Sequence, residues 1–227
     1  MDHLRAVDAL SSGWLAGILL LALGMLAYVN MVAPKQWTVL ARSFGALRLG
    51  KHRLREELDL RDRTLTVLLV LSTMVIALFA YQVLLFHHMV NAGMSGFWRA
   101  LLIVAMVITA QLLLLRLLAV LANADGGLQE YLYTVVVFHV VLGLVLLPVA
   151  TVLSFPFRMA WRDVAWAVGV SFVILAVVFR WVRAGVIGRG NGVPARYIFI
   201  YICAFEILPA LLALDYAWHF VPTSHTI

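Results

Sequence analysis

A single cysteine, Cys203, in 227 residues excludes an internal disulfide, so no covalent staple holds this chain. Charge is nearly as scarce. Only 12% of the residues are charged and 64% are hydrophobic, about half the charged share of an ordinary soluble domain. Such a chain is solvated by lipid and held together by helix packing. No histidine or cysteine cluster has zinc spacing. His87 and His88, with His219 and His225, invite a metal or haem, but no carboxylate or cysteine completes a site, and no cofactor is expected. The stretch GRGNGVPAR at 188–196 is glycine-rich, yet it lacks both a preceding strand and the Lys-Ser/Thr ending of a phosphate loop. It reads as a turn. Basic residues outnumber acidic ones by 17 to 11, but they fall in loops between apolar runs, which points to membrane topology and not to nucleic acid.

What is present in quantity is long apolar runs. A spanning helix needs about 20 mostly apolar residues, and six segments qualify: 14–32, 65–86, 98–121, 132–154, 164–181 and 197–218. The sequence therefore predicts an all-α fold, a polytopic transmembrane bundle of six helices forming one domain over residues 1–227. The first run has no basic region before it and no small-residue cleavage site after it, so it reads as a retained helix and not a signal peptide. Placing the first, third and fifth loops together collects thirteen of the 17 basic residues, leaving Arg5, Arg99, Arg158 and Arg162 on the other side. The crowded side is then cytoplasmic, and both termini face outward. The seven tryptophans lie at or near proposed span ends, where amphipathic rings prefer to sit.

The first loop, 33–64, is long and basic. Trp37, Leu40, Phe44 and Leu47 recur at spacings of three and four after Pro34, which predicts an interfacial amphipathic helix on the cytoplasmic side. The pairs Arg53–Glu57 and Arg55–Asp59 stand at i, i+4 spacing. Arg42, Arg48, Lys51, Arg53 and Arg55 form a candidate surface for anionic lipid headgroups or a protein partner. A merely solvated face linking two spans is the plainer reading.

Polar residues inside the spans are the candidate site. Counted from the cytoplasmic ends at about 1.5 Å per residue, Glu206 lies roughly 14 Å deep, His139 about 11 Å and Arg116 about 8 Å. Gln111 lies slightly deeper on the third span. Charged groups at this level seek each other or water, so Glu206 is expected to bond His139, Arg116 or both. Such a contact either fixes helix register or binds and relays a proton or polar ligand. Pro148 and Pro209 each remove a helix donor and are candidate kinks, freeing the carbonyls of Leu144 and Phe205.

Two stretches, VFHVVLGLVLLPVATVLSF at 137–155 and RYIFIYICAFEILPALLAL at 196–214, carry Gly143, Leu147 and Pro148, then Tyr201, Cys203, Glu206 and Pro209. They resemble an uncharacterised family of bacterial integral-membrane proteins, a domain of unknown function with a central GLxLLP-like and a C-terminal YxCxxExxP-like segment. The resemblance covers most of the chain. It implies a multi-pass protein of the bacterial inner membrane and brings no activity with it. The residues rank the functions in this order: a non-catalytic membrane subunit or envelope assembly factor, a small-solute or proton-linked transporter built on Glu206, His139 and Arg116, and a membrane enzyme acting on lipid or quinone. An enzyme is the weakest reading because only Glu206 and His139 offer an acid and a base.

Overall fold

The computed structural model describes residues 13–35, 37, 38, 40, 63–87, 89, 90, 92–121, 127–155, 159–190, 196, 199, 203 and 211. Five helices follow one another: α1 (Gly13–Val32), α2 (Arg63–Phe86), α3 (Met94–Leu121), α4 (Gly127–Ser154) and α5 (Met159–Gly190). All five are long and apolar enough to cross a membrane. Helix is the open choice for such runs, because in hydrocarbon each backbone N–H and C=O must be bonded within its own segment. The predicted sixth span, 197–218, lies outside the described residues except at 199, 203 and 211.

The helices outrun the apolar segments that reveal them. The third helix begins at Met94 where hydropathy marks 98, the fourth at Gly127 where it marks 132, and the fifth runs from Met159 to Gly190 in place of 164–181. Hydropathy marks the stretch that sits in hydrocarbon, whereas Arg180, Arg183 and Arg189 continue a helix readily without being apolar. At about 1.5 Å per residue, α5 extends about 48 Å, well beyond a hydrocarbon layer of about 30 Å. Part of the expected 188–196 turn is corrected by the same fact, since Gly188, Arg189 and Gly190 are helical.

Contacts at the helix ends give the directions. Trp14 at the start of α1 lies 5.6 Å from Tyr81 near the end of α2 and 5.9 Å from Phe97 at the start of α3, measured between ring centroids. Phe86 at the end of α2 stacks on Trp166 near the start of α5 at 5.9 Å. Gln82 Nε2 donates to Ser154 Oγ at 2.7 Å, which joins the ends of α2 and α4. Helices α2 and α4 therefore run parallel, and α1, α3 and α5 run antiparallel to them. One end of the bundle carries Arg63, Arg180, Arg183 and Arg189; it is called the basic end below.

The core sits on α2 and α4, which form the most extensive helix contact, with α5 laid along α4 and α1 and α3 along α2. Leu68, Leu71, Val75, Leu78, Val140, Leu146 and Leu153 are fully buried between them. The outer helices keep broad apolar faces: Leu20 on α1, Leu102 on α3 and Leu175 on α5 are each more than half exposed. Acyl chains cover such a face at no hydrophobic cost, so it needs no protein partner.

Two glycines bring helices unusually close. A Cβ on Gly143 of α4 would stand 2.5 Å from the Ser72 Cα of α2 and nearer still to the Ser72 Cβ. At the second crossing, a Cβ on Gly169 of α5 would stand 2.5 Å from Phe79 Cζ and 3.0 Å from Val149 Cγ1. Small residues at membrane interfaces allow this approach, and the contact area gained is what holds helices together in lipid. Gly169→Ala is expected to destabilise the protein by about 1–2 kcal/mol through overpacking, read as thermal unfolding in detergent. Phe79→Leu in the same chain is expected to recover part of the loss, because the obstructing atoms are the far edge of that ring.

Of the loop after α1, Trp37, Thr38 and Leu40 are helical, and Thr38 Oγ1 donates to the Lys35 carbonyl at 2.7 Å. Leu40 is buried and Trp37 packs on the core. Phe44, Leu47 and the candidate surface of Arg42, Arg48, Lys51, Arg53 and Arg55 lie outside the described residues.

Candidate functional site

Apart from Arg162 near the start of α5, the buried polar residues among those described lie on α2 and α4, and two levels of them bond between these helices. Toward the far end, Gln82 is 1% exposed and its Nε2 donates to both the Ala150 carbonyl at 3.0 Å and Ser154 Oγ at 2.7 Å, while its Oε1 meets no partner. Nearer the basic end, Ser72 Oγ donates to the Val140 carbonyl at 3.1 Å. These bonds run from side chain to the neighbouring helix, where a polar group has no water to turn to.

His139 lies beside that second level. Its Nε2 is 3.1 Å from Thr73 Oγ1, and the Thr73 hydroxyl donates to the Leu69 carbonyl at 2.8 Å. A hydroxyl has one proton to give. With that proton on Leu69, Thr73 Oγ1 accepts from His139 Nε2–H, which fixes the tautomer and leaves Nδ1 as the basic nitrogen. Thr73 thus orients the imidazole from a neighbouring helix. Thr73→Val is expected to destabilise the bundle by about 1 kcal/mol, because the His139 N–H loses its acceptor; Thr73→Ser is expected to match the wild type in the same detergent unfolding experiment.

The third helix at this level is α5. Phe138 and Phe179 meet at 5.2 Å between centroids, and this contact brings their chain neighbours, His139 and Arg180, to one crossing. The Arg180 guanidinium acts electrostatically on the His139 ring. Arg180 and Arg183 are both half-buried and each is engaged in an interaction. Thr73, His139 and Arg180 therefore converge from α2, α4 and α5.

The other residues marked by the sequence are placed differently. Arg116 is exposed on α3, Gln111 is half-buried on the same helix, and neither bonds His139. Pro148 is exposed within an α4 that continues unbroken to Ser154. Glu206 and Pro209 lie outside the described residues. Among the described residues, no three His, Cys, Asp or Glu side chains come together as a metal group would need.

Thr73 and Arg180 escaped the sequence reading for different reasons. Threonine is ordinary in membrane helices, where its hydroxyl turns back to the preceding carbonyl. A count from the start of the second apolar run at 65 sets Thr73 about 12 Å in, beside the roughly 11 Å of His139, and that is the signal the sequence offers. Arg180 reads as a span end, because hydropathy closes the fifth span there.

A family model covers residues 15–217, from the start of α1 through Glu206 and Pro209. The chain belongs to DUF4271, a domain of unknown function. No curated protein and no solved structure matches it. This DUF4271 chain is thus a multi-pass helical membrane protein, and the family match takes in both polar levels of the bundle: Gln82 with Ser154, and Thr73, His139 and Arg180 together.

Proposed function

We propose that this protein is a non-catalytic membrane subunit or envelope assembly factor of the bacterial inner membrane. Residues 197–218 supply a sixth span, both termini face outward, and the basic first loop, 33–64, continues its Trp37–Leu40 turn as an interfacial helix. Thirteen basic residues on one side support that orientation. Arg42, Arg48, Lys51, Arg53 and Arg55 then face the cytoplasm, available to a protein partner or to anionic headgroups. Glu206 joins the polar level of His139 from the sixth span.

One observation carries the reading. Most of the bonding capacity of the interior polar groups on α2 and α4 is used within the bundle: Ser72 on Val140, Thr73 on Leu69 and His139, and both amide protons of Gln82 on Ala150 and Ser154, with Gln82 Oε1 left over. Groups used this way fix register between helices, whereas a passage for solute leaves its lining open to the passage. A native mass spectrum of the protein extracted gently from its own membrane tests this. A stoichiometric protein partner is the expected result. A bare chain that retains a defined lipid, quinone or solute overturns it.

The convergence of Thr73, His139 and Arg180 from three helices favours a second reading, a small-solute or proton-linked transporter. A histidine held by one nitrogen and open at the other can take and release a proton. Under this reading Glu206→Gln abolishes a transport phenotype at unchanged protein abundance; under the first, abundance itself falls.

A further inference from the structure

We propose that α1, α2 and α3 hold an anionic phospholipid of the leaflet at the basic end, its phosphate bracketed by Lys35, Arg63 and Arg116 and an acyl chain laid on the outer face of α3. The inference goes beyond the subunit reading and uses the described residues alone.

The far end supplies a reference level. Trp14 of α1, Tyr81 of α2 and Phe97 of α3 pack on one another there, with ring centroids 5.6, 5.9 and 6.4 Å apart. Toward the basic end, Lys35 follows Trp14 by 21 residues, just past the end of α1, while Arg63 precedes Tyr81 by 18 and Arg116 follows Phe97 by 19. At about 1.5 Å per residue all three lie between about 27 and 31 Å from the aromatic group. They share one level, about a hydrocarbon thickness away. On this measure Arg116 is nearer the basic end than His139, whose partner Thr73 is only about 12 Å along α2 from Tyr81.

All three cations are exposed. Arg63 stands five helical turns from Tyr81, hence on the face of α2 that α1 and α3 border. On α3, Trp98, Leu102, Met106, Leu113 and Arg116 succeed one another at spacings of four, four, seven and three, the stripe of one helix face. Trp98 is 50% exposed, and Leu102, Met106 and Leu113 are each more than 60% exposed. An apolar lane thus runs from an interfacial tryptophan to an interfacial arginine.

Charge decides the occupant. Helices α1, α2 and α3 contain no acidic residue, so none of them answers these cations. Guanidinium groups bond phosphate oxygens in pairs, and basic residues at a membrane surface attract anionic lipid. A zwitterionic headgroup brings the same phosphate with an ammonium attached, which three cations repel. Arg99 of α3 is also exposed, but at the far end, where α1 and α2 carry no lysine or arginine.

The test is native mass spectrometry of the purified full chain in detergent, titrated with phosphatidylglycerol or phosphatidylcholine. One phosphatidylglycerol is expected to be retained with about a tenfold preference or more. Arg63→Gln and Arg116→Gln are each expected to lower that preference about fivefold, the effect of one basic residue at an anionic surface. Both side chains are exposed, so neither change opens the core. Arg99→Gln, at the other end, and Arg189→Gln, on α5, are expected to leave the preference unchanged. Equal retention of the two lipids overturns the proposal. So does an Arg189→Gln effect equal to that of Arg116→Gln, which would mean a diffuse basic end and no site. Displacement of the lipid by inorganic phosphate would show a free-phosphate site and overturns it too. A preferred lipid on a chain that also keeps a protein partner satisfies both readings; on a bare chain it supports this site and overturns the subunit reading, so the two fail separately.

Discussion

Gly143→Ala is expected to destabilise the bundle by about 3 kcal/mol, the upper end of what overpacking costs. The reason is the identity of the atoms in the way. At Gly169 the obstruction is the edge of a ring, but at Gly143 it includes the Cα of Ser72, 2.5 Å from where the new Cβ would stand. No side-chain rotation relieves a backbone contact, so α2 and α4 must separate along their most extensive interface. Separation lengthens the Ser72 Oγ–Val140 O bond, now 3.1 Å, and the Thr73 Oγ1–His139 Nε2 bond beside it, also 3.1 Å. The measurement is thermal unfolding in detergent, with Ser72→Gly added to the Gly143→Ala chain as the second arm. Partial recovery is expected, because removing the Ser72 side chain leaves its Cα in place. An unchanged midpoint for Gly143→Ala would refute so close a crossing.

The same crossing separates what was legible in the sequence from what was not. The depth of a residue in the membrane follows from counting along an apolar run, since the rise per residue of a helix is fixed. His139 stands out this way, whereas Thr73 and Arg180, which the structure brings beside it, do not. Direction around the helix axis does not follow from counting, because rotation and tilt are set by contacts with neighbours. Arg116 shares the depth of His139 by count and yet is exposed on α3, whereas Arg180 approaches from α5 because Phe138 meets Phe179. Gly143 stands out in the sequence only within the GLxLLP-like segment, and its partner at the crossing, Ser72, has no distinguishing pattern of its own. Helix ends were legible only where hydropathy and helix propensity agree, as at Phe86, and not at Gly190, where arginines extend the helix past the apolar run.

The two polar levels also differ in what they can do. At the far level Gln82 donates twice and has an unmet acceptor, but an amide does not titrate. At the level of Thr73, the imidazole of His139 has one nitrogen committed to a hydroxyl and the other basic, with a guanidinium close enough to act on it. Proton chemistry in this bundle, if a transport phenotype is found, belongs to the second level. Thr73→Val then has a consequence beyond stability, because it frees the imidazole to change tautomer and moves the basic nitrogen.

The other large effect is expected at the far end of the bundle, where Tyr81→Ala should destabilise the protein by about 3 kcal/mol. Tyr81 is 0% exposed and joins three helices at once. Its ring lies 5.6 Å from Trp14 of α1 and 6.4 Å from Phe97 of α3, and its hydroxyl accepts the Gly93 N–H at 3.0 Å, on the turn between α2 and α3. In a bilayer, transfer of the ring from lipid to protein contributes little, since acyl chains are as apolar as the core. What the alanine loses is contact, because the cavity left behind holds no atoms to replace the dispersion of a buried aromatic ring. Tyr81→Phe separates the two contributions. It keeps the ring contacts with Trp14 and Phe97 and strands only the Gly93 N–H, so a loss of about 1 kcal/mol is expected, the ordinary worth of one such bond. Should Tyr81→Phe prove as damaging as Tyr81→Ala, the hydroxyl and the turn it holds would be the anchor of this end, and the aromatic group merely its support.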